Sequence, residues 1–170
     1  MKKIYIAVAA AVVLLLAGYV AAGPYLALNG IRDGIVAQDE AVLAEHIDFP
    51  VLRESMKEEI AGVMTARMAE RAGGDPEMAA MGQLFASKMV EVMVDKVVTP
   101  QGLAMLTSTK EASQELTKDN VLADLNVAYE GLNRAVVTQA NKPDAKLVLS
   151  RQGLKWRLTG VRLPTTETAQ

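Results

Sequence analysis

The single histidine of the chain, His46, follows Glu45 and stands two residues before Asp48. An imidazole beside a carboxylate can act as a general base, and a histidine with acidic neighbours can hold a metal ion. Neither function is supported by the rest of the sequence. No serine lies in a Gly-x-Ser-x-Gly motif that would mark a nucleophile, and there is no second histidine as a metal ligand. We therefore expect His46 to end a short helix, with Asp48 capping the next helix and pairing with Arg53.

Other catalytic groups are equally poorly supported. The chain has no cysteine, which excludes a thiol nucleophile, a disulfide and a thiolate metal site. The glutamates at 54, 58 and 59 are expected to be solvated on one side of a helix, since a glycosidase pair needs two carboxylates facing across a cleft. We predict no catalytic residue, no metal site and no cofactor, and hence a protein that is not an enzyme.

Methionine is the side chain in excess, with nine in 170 residues. Several pairs recur at a spacing of three or four, which places their thioethers on one side of a helix. Thioethers bind Cu(I) if at least three converge, but the same positions complete apolar stripes, so core packing is the first interpretation. The alternative is an adaptable pocket or partner groove. Its candidate ligand-binding residues are Met64, Met68, Met81, Phe85, Met89 and Met93.

The only tryptophan, Trp156, stands between Lys155 and Arg157. Such a flanked aromatic ring can serve as a stacking platform. Its phase with Leu154 and Leu158 in an alternating strand predicts instead that all three side chains point into the core.

Charge divides the chain into two parts. Residues 24–132 carry 9 Lys/Arg and 18 Asp/Glu, whereas residues 133–170 carry 7 and 2. We expect the basic side chains to pair with the acidic helical half or to be solvated; the alternative is an anionic partner such as phospholipid headgroups. Nucleic acid is excluded as a partner because basic and aromatic residues are not interleaved. The basic set is Lys146, Arg151, Lys155, Arg157 and Arg162.

The N-terminus is the clearest targeting signal. After Lys2 and Lys3, the 19 residues from Ile4 to Ala22 carry no charge. As a helix they are about 28 Å long, close to the roughly 30 Å of a bilayer core and longer than most signal-peptide apolar regions. We predict an uncleaved single-pass anchor in a bacterial inner membrane with the domain in the periplasm, or alternatively a signal cleaved near Ala22.

The remaining pattern predicts helices followed by strands. Gly23-Pro24 is expected to break the apolar run and to start a new helix that ends near Gln38. Further helices are expected from the Asp39 cap through His46, from Asp48 to Arg71, after an Asp75 cap, and from Thr99-Pro100 to Thr107. The helix after Asp75 is apolar on most sides from Leu84 to Val98, which predicts that it is central and buried. Residues 108–120 are expected to form a loop.

From Leu125 the apolar period becomes two, as in strands. Turns are expected at "KPD" after Asn141 and at Gln152-Gly153, and a β-bulge at Gly160 because the inward phase shifts there. The predicted fold is α+β: an N-terminal membrane helix, then a helical half packed on an antiparallel meander of about four strands. The expected domains are an anchor at 1–23, one domain at 24–164 and a disordered tail at 165–170.

Two stretches, "GPYLALNGIRDGIVAQDEAVLAEHIDFPVLRESMKEEI" and "GLKWRLTGVRLP", carry a resemblance. Pro24-Tyr25 after a membrane segment, Asp48-Phe49 with Arg53, and a glycine-led strand with Trp156 resemble a bacterial exported family, domain of unknown function 2939. That family brings no known activity, so no catalytic residue can be transferred. The helix-entry pattern is also similar to nuclear transport factor two-like domains, which implies helices on a curved sheet.

These observations predict a membrane-tethered periplasmic protein with an interaction or scaffold role in the cell envelope. The alternatives are a binding module for an apolar ligand or lipid in a methionine-lined pocket, and a hydrolase using His46 as base. The expected partners are the inner membrane, through residues 4–22, and an envelope protein or apolar ligand.

Overall fold

The computed structural model describes residues 2–71, 76–106, 125–140 and 142–163. The described helices are α1 (Lys2–Ala37), α2 (Glu40–His46), α3 (Phe49–Arg71), α4 (Pro76–Val97) and α5 (Pro100–Leu106). The strands are β1 (Leu125–Tyr129), β2 (Arg134–Gln139), β3 (Lys142–Gln152) and β4 (Lys155–Arg162). They form one antiparallel sheet in chain order, so the predicted α+β fold is confirmed. The predicted Asp75 cap, loop 108–120 and tail 165–170 lie outside the described residues.

Local capping sets the ends of the short helices. The Asp39 carboxylate accepts hydrogen bonds from the backbone N–H groups of Ala41 at 2.9 Å and Val42 at 3.2 Å. The Thr99 hydroxyl accepts from the Gly102 N–H at 2.9 Å. Each oxygen satisfies N–H groups that a helix start leaves without an intrahelical partner. Both predicted caps are confirmed.

The predicted helix break at Gly23-Pro24 is wrong, because α1 continues through Pro24 to Ala37. Proline has no N–H, so the carbonyl of Val20, four residues earlier, loses its helical partner. The sheet supplies a replacement: Trp156 Nε1 donates to the Val20 carbonyl at 3.0 Å. The Tyr129 hydroxyl donates to the next carbonyl, that of Ala21. The helix therefore stays continuous because side chains of the sheet bond the exposed carbonyls.

Two apolar clusters form the core. One lies between α1 and the sheet and comprises Ala27, Leu28, Ala135, Val137, Leu149 and Trp156. The other joins α2, α3, α4 and β4 and comprises Leu43, Ile47, Phe49, Leu52, Val90, Val94, Val98 and Leu158. The inward orientation of Trp156 is confirmed, since only 3% of it is exposed. The inward orientation of Leu154 is wrong: it follows Gly153, which has a φ of +66°, in the β3–β4 turn and is 60% exposed.

The strand register shows one confirmed feature and one error. Val148 pairs with Gly160 and Leu149 with Leu158, so Thr159 is an extra residue and the predicted bulge is confirmed. At Gly160 the sheet approaches α3 closely, because a Cβ there would lie 2.6 Å from the Ser55 Oγ. The turn predicted at 142–144 is wrong, since these residues already belong to β3.

The prediction that α4 is central and buried is also wrong. One side, formed by Ala86, Val90 and Val94 and continued by Val98 just after the helix, is buried against the rest of the domain. The opposite side is apolar yet exposed. We call it the docking face, and its residues are Leu84 (71% exposed), Phe85 (79%), Met89 (68%), Val92 (57%) and Met93 (62%). Apolar composition alone does not show which sides of a helix find a neighbour.

The proline bond can be tested by a double-mutant cycle. Trp156→Phe removes the donor to Val20, and we expect it to lower the free energy of unfolding by about 1–3 kcal/mol, the usual result of leaving a polar group unsatisfied. In a Pro24→Ala background the new N–H can bond the same carbonyl, so the loss should shrink by about 1 kcal/mol. Urea unfolding of the full chain in detergent micelles measures both. Equal losses in the two backgrounds would contradict the assigned hydrogen bond.

Candidate functional site

His46 lies at the last position of α2, and its ring packs on α1. A Cβ at Gly30 would lie 2.1 Å from the His46 Nε2, so the glycine leaves the space that the imidazole ring occupies. The two carboxylates near it, those of Glu45 and Asp48, bond side chains of the sheet. Glu45 pairs with Lys155, and this hydrogen bond, aided by the Lys155 charge, holds the pKa of Glu45 below its usual value.

Asp48 joins α3 to the β3–β4 hairpin. Its Oδ1 accepts from the Val51 N–H at 3.3 Å, which caps α3, and its Oδ2 accepts from the Gln152 side-chain amide at 2.6 Å. The predicted pairing with Arg53 is wrong, because the Arg53 Nε donates to the Phe49 carbonyl at 3.2 Å. The acidic groups around His46 therefore fasten helices to strands, and neither orients the imidazole for proton transfer.

Within residues 2–71, 76–106, 125–140 and 142–163, no three His, Asp or Glu side chains are grouped so as to hold a metal ion. The predicted basic side chains are partly paired. Lys155 binds Glu45 of the helical half, Arg162 binds Glu130 at 3.2 Å, and Arg151 donates to Asn133.

The methionines line two apolar grooves that meet on α4. One groove of about 410 Å³ runs between α3 and α4 and is lined by Ile60, Val63, Met64, Arg67, Met89, Val90, Met93, Val94 and Leu163. The second, of about 770 Å³, lies along the docking face and is lined by Leu84, Phe85, Lys88, Met89, Val92, Met93 and Lys96. Met89 and Met93 belong to both, so the apolar surface is continuous.

Four of the six candidate ligand-binding residues contribute to this surface. Met64, Met89 and Met93 line the first groove, and Phe85 joins the second. Met68 instead packs between the helices, since a Cβ at Gly82 would lie 3.1 Å from its sulfur. Met81 is exposed and lines neither groove. Three thioethers share the first groove with the Arg67 guanidinium, whose charge opposes a cation such as Cu(I).

Sequence reasoning missed a polar cleft of about 480 Å³ between α3 and the sheet. Its walls carry Glu54, Glu58 and Glu59 from α3 opposite Arg134 and Arg162 from the sheet. Because all three glutamates come from one helix, they do not form facing carboxylates. The cleft forms only where β2–β4 pack beside α3, so it could not be located from the sequence. The sequence features that could have indicated it are the acidic side of α3 and the basic residues of the strands.

Many polar groups of this cleft are bonded inside the protein. Glu54 pairs with Lys57 at 3.2 Å, and the Glu59 carboxylate accepts from the Leu163 N–H at 2.8 Å. The hydroxyls of Ser150 and Thr159 lie 2.8 Å apart and share a hydrogen bond. Of these bonds, the one between Glu59 and Leu163 joins α3 to the end of β4, whereas the other two lie within α3 and within the sheet.

A third apolar cavity, of about 630 Å³, lies between α1 and two turns of the sheet. Tyr129 and Trp156 form its inner wall, with ring centroids 6.1 Å apart and an edge-on angle of 77°. Burial raises the pKa of the Tyr129 hydroxyl. The remaining lining residues are Val13, Ala17, Val20, Ala21, Gly131, Leu132 and Arg151.

Comparison with known families tests the resemblance. The family model described as protein of unknown function, DUF2939, matches residues 13–106, more than half of the chain. The chain belongs to the DUF2939 family. The match runs from Val13, in the first half of α1, to the end of α5 and so includes both groove-forming helices. No curated protein and no solved structure matches the chain. The likeness to nuclear transport factor two-like domains stays a prediction.

The packing of His46 on α1 predicts that alanine substitution changes the unfolding free energy in opposite directions at two helical glycines. Gly30→Ala places a Cβ against the imidazole, and we expect a loss of about 1–3 kcal/mol in unfolding free energy through overpacking. Gly62→Ala in α3 is the matched control, because nothing lies within 4 Å of its Cβ position. There alanine should stabilise by about 0.5–1 kcal/mol through helix propensity. Thermal unfolding distinguishes them, and two changes of the same sign would contradict the packing.

Proposed function

We propose that this DUF2939 protein is a membrane-tethered, non-enzymatic interaction module of the bacterial envelope, whose α4 docking face binds an amphipathic helix of a partner protein. The observation that carries the proposal is the exposed apolar surface of Leu84, Phe85, Met89, Val92 and Met93. Contiguous exposed apolar surface on a soluble domain is typical of an interaction site. The proposal has two parts, the tether and the docked helix.

The tether is supported by α1. The stretch Ile4–Ala37 is long and apolar enough to be a membrane span or a signal segment. An uncleaved span is favoured because Val20 and Ala21 supply carbonyls bonded by Trp156 and Tyr129. Cleavage after Ala22 would remove both acceptors from the domain. We therefore place the domain in the periplasm on a retained inner-membrane helix, with Lys2 and Lys3 on the cytoplasmic side.

Retention of the anchor has a direct test. The membrane fraction of cells that express the full chain should contain protein whose intact mass includes residues up to the N-terminal Lys2-Lys3. The physical reason is that the domain core needs the segment around Val20. A mature protein that begins at Gly23 would contradict the tether and leave a secreted domain.

The form of the docking face favours a helix over a small apolar ligand. Pockets for small molecules bury most of the ligand surface. Here Phe85 and Met89 are 79% and 68% exposed, so the groove along α4 is open. An open apolar stripe along a helix fits the packing of a second helix, whose anchors recur at three- and four-residue steps.

Charge restricts the chemistry of the partner. Lys88 and Lys96 line the groove eight residues apart, about 12 Å along α4. Lys88 pairs with Glu91 at 3.2 Å, and in the described part of the chain Lys96 has no ion-pair partner. A helix with an apolar stripe and acidic residues about two turns apart complements this surface.

The position of the face favours a protein over lipid of the anchoring membrane. The residue that caps α3, Asp48, bonds Gln152 beside the β3–β4 turn, and the helix then passes Leu163 at the far end of β4. Met64 lies 16 residues beyond Asp48, about 24 Å along the helix. Since Met64 and Met89 line one groove, the docking face lies on the far side of the domain from the turns near α1.

Site-specific photo-crosslinking in cells tests the docked helix. A photoreactive residue at Phe85 should capture an envelope protein, whereas one at Gln83, an exposed polar position on another flank of α4, should not. Met89→Glu should reduce the crosslink at least tenfold, because burying an unpaired carboxylate costs more than about 1.4 kcal/mol. Equal labelling from both sites, no product, or a product consisting of two copies of this chain would contradict a partner helix.

A further inference from the structure

The sheet lies beside the apolar part of α1 and not only beside its C-terminal half. Val13 and Ala17 line the same cavity as Leu132 and Arg151. Because α1 is continuous and its carbonyls at Val20 and Ala21 are bonded to the sheet, the orientation of the sheet relative to the helix is set. The β1–β2 turn, with Gly131 and Leu132, therefore lies beside the Val13–Ala21 stretch of α1, as does Arg151, which precedes the β3–β4 turn by two residues.

The length of the uncharged run of α1 decides whether turns beside Val13 and Ala17 can remain in water when α1 spans a membrane. The uncharged run from Ile4 to Ala22 is about 28 Å long, so a bilayer core of about 30 Å takes all of it. Ala17 and Val13 lie about 8 and 14 Å from the Ala22 end. If the run spans the membrane, turns at the level of Val13–Ala17 must enter the leaflet.

The two turns have the side chains that such a position requires. Each presents a leucine directly after a glycine of positive φ, Gly131 at +100° and Gly153 at +66°. Leu132 is 84% exposed and Leu154 is 60% exposed, so neither serves the core. Both turns lie at the same end of the antiparallel sheet.

A basic side chain stands just behind the leucines. Arg151 lines the cavity beside α1 and donates from Nε at 3.0 Å and from Nη2 at 2.7 Å to the Asn133 side chain, which ties the two turns together. Its charge is not neutralised by a carboxylate within the described residues. Arginine behind an inserted apolar tip is placed to meet lipid phosphate, as in interfacial protein segments.

We propose that the two turn tips, Gly131-Leu132 and Gly153-Leu154, insert into the outer leaflet of the membrane that holds α1. The inference rests on the tether of the proposed function and adds a second, lateral contact with the same bilayer. Insertion to about 5–10 Å, the depth of interfacial segments, accounts for most of the length over which the turns lie beside the uncharged run of α1. Local bilayer thinning accommodates the remainder.

The absence of cysteine makes the test clean, because single cysteines can be introduced into the full chain. Leu132→Cys and Leu154→Cys report on the tips. Ala140→Cys is the matched control, an exposed position after β2 at the opposite end of the sheet, and Val8→Cys reports on the span. Each carries a nitroxide label in vesicles of phosphatidylcholine and phosphatidylglycerol. Spin-label power saturation then compares accessibility to oxygen, which partitions into lipid, with accessibility to a water-soluble nickel chelate.

We expect labels at 132, 154 and 8 to favour oxygen several-fold more than the label at 140. Labels at 132 and 154 that match 140 while the label at 8 lies in lipid would overturn tip insertion and leave the tether standing. A water-exposed label at 8 would overturn the tether, and this inference with it. Circular dichroism of each labelled variant confirms that the compared chains are folded.

Discussion

The structure depends on a hydrogen-bond deficit at Pro24. A proline inside a helix leaves the carbonyl four residues earlier without its N–H, and in an apolar setting such a group is costly. Trp156 and Tyr129 bond the carbonyls of Val20 and Ala21. The two rings also pack edge to face against each other. At this local defect, hydrogen bonds from β1 and β4 therefore join the sheet to α1, beside the apolar cluster that α1 and the sheet share.

Three glycines of α1 allow side chains of β4 and α2 to approach the helix backbone closely. Gly23 contacts the Trp156 ring, Gly30 the His46 ring and Gly34 the Leu43 side chain, with each Cβ position within about 3 Å of the neighbour. Their spacing of seven and four residues places the three glycines on one side of the helix. The same side therefore contacts β4 and α2, so the apolar helix packs directly on both elements.

This arrangement gives the domain two different ends. The turns beside α1 carry exposed leucines and Arg151, whereas the α3–α4 pair extends to the far side with its apolar docking face. α3 and α4 pack on each other, and the far side of α4 remains uncovered in the described chain. In the proposed function, the turns face the bilayer and the docking face points away from it, which suits the recruitment of an envelope protein to the membrane surface.

Local rules predicted much of this fold. The caps at Asp39 and Thr99, the start of α3 after Asp48, the alternation of β1 and β4 and the bulge at Gly160 all depend on neighbours within a few residues. The family resemblance was likewise readable from short segments and is shown by the match over residues 13–106. Of the candidate site, Phe85, Met89 and Met93 on α4 were identified, with core packing as the first interpretation and an adaptable pocket or partner groove as the alternative.

Four outcomes were decided by tertiary structure alone. Pro24 does not end a helix because Trp156, 132 positions later in the chain, bonds the carbonyl that the proline leaves free. Asp48 accepts a hydrogen bond from Gln152 of the distant hairpin, and Arg53 bonds the Phe49 carbonyl. Leu154 is exposed because it lies in the β3–β4 turn, and the side of α4 that carries Phe85 and Met89 is exposed within the described chain. The sequence determines which groups need a partner; only the folded chain determines which distant group provides one, since hydrogen bonding and burial depend on proximity in space.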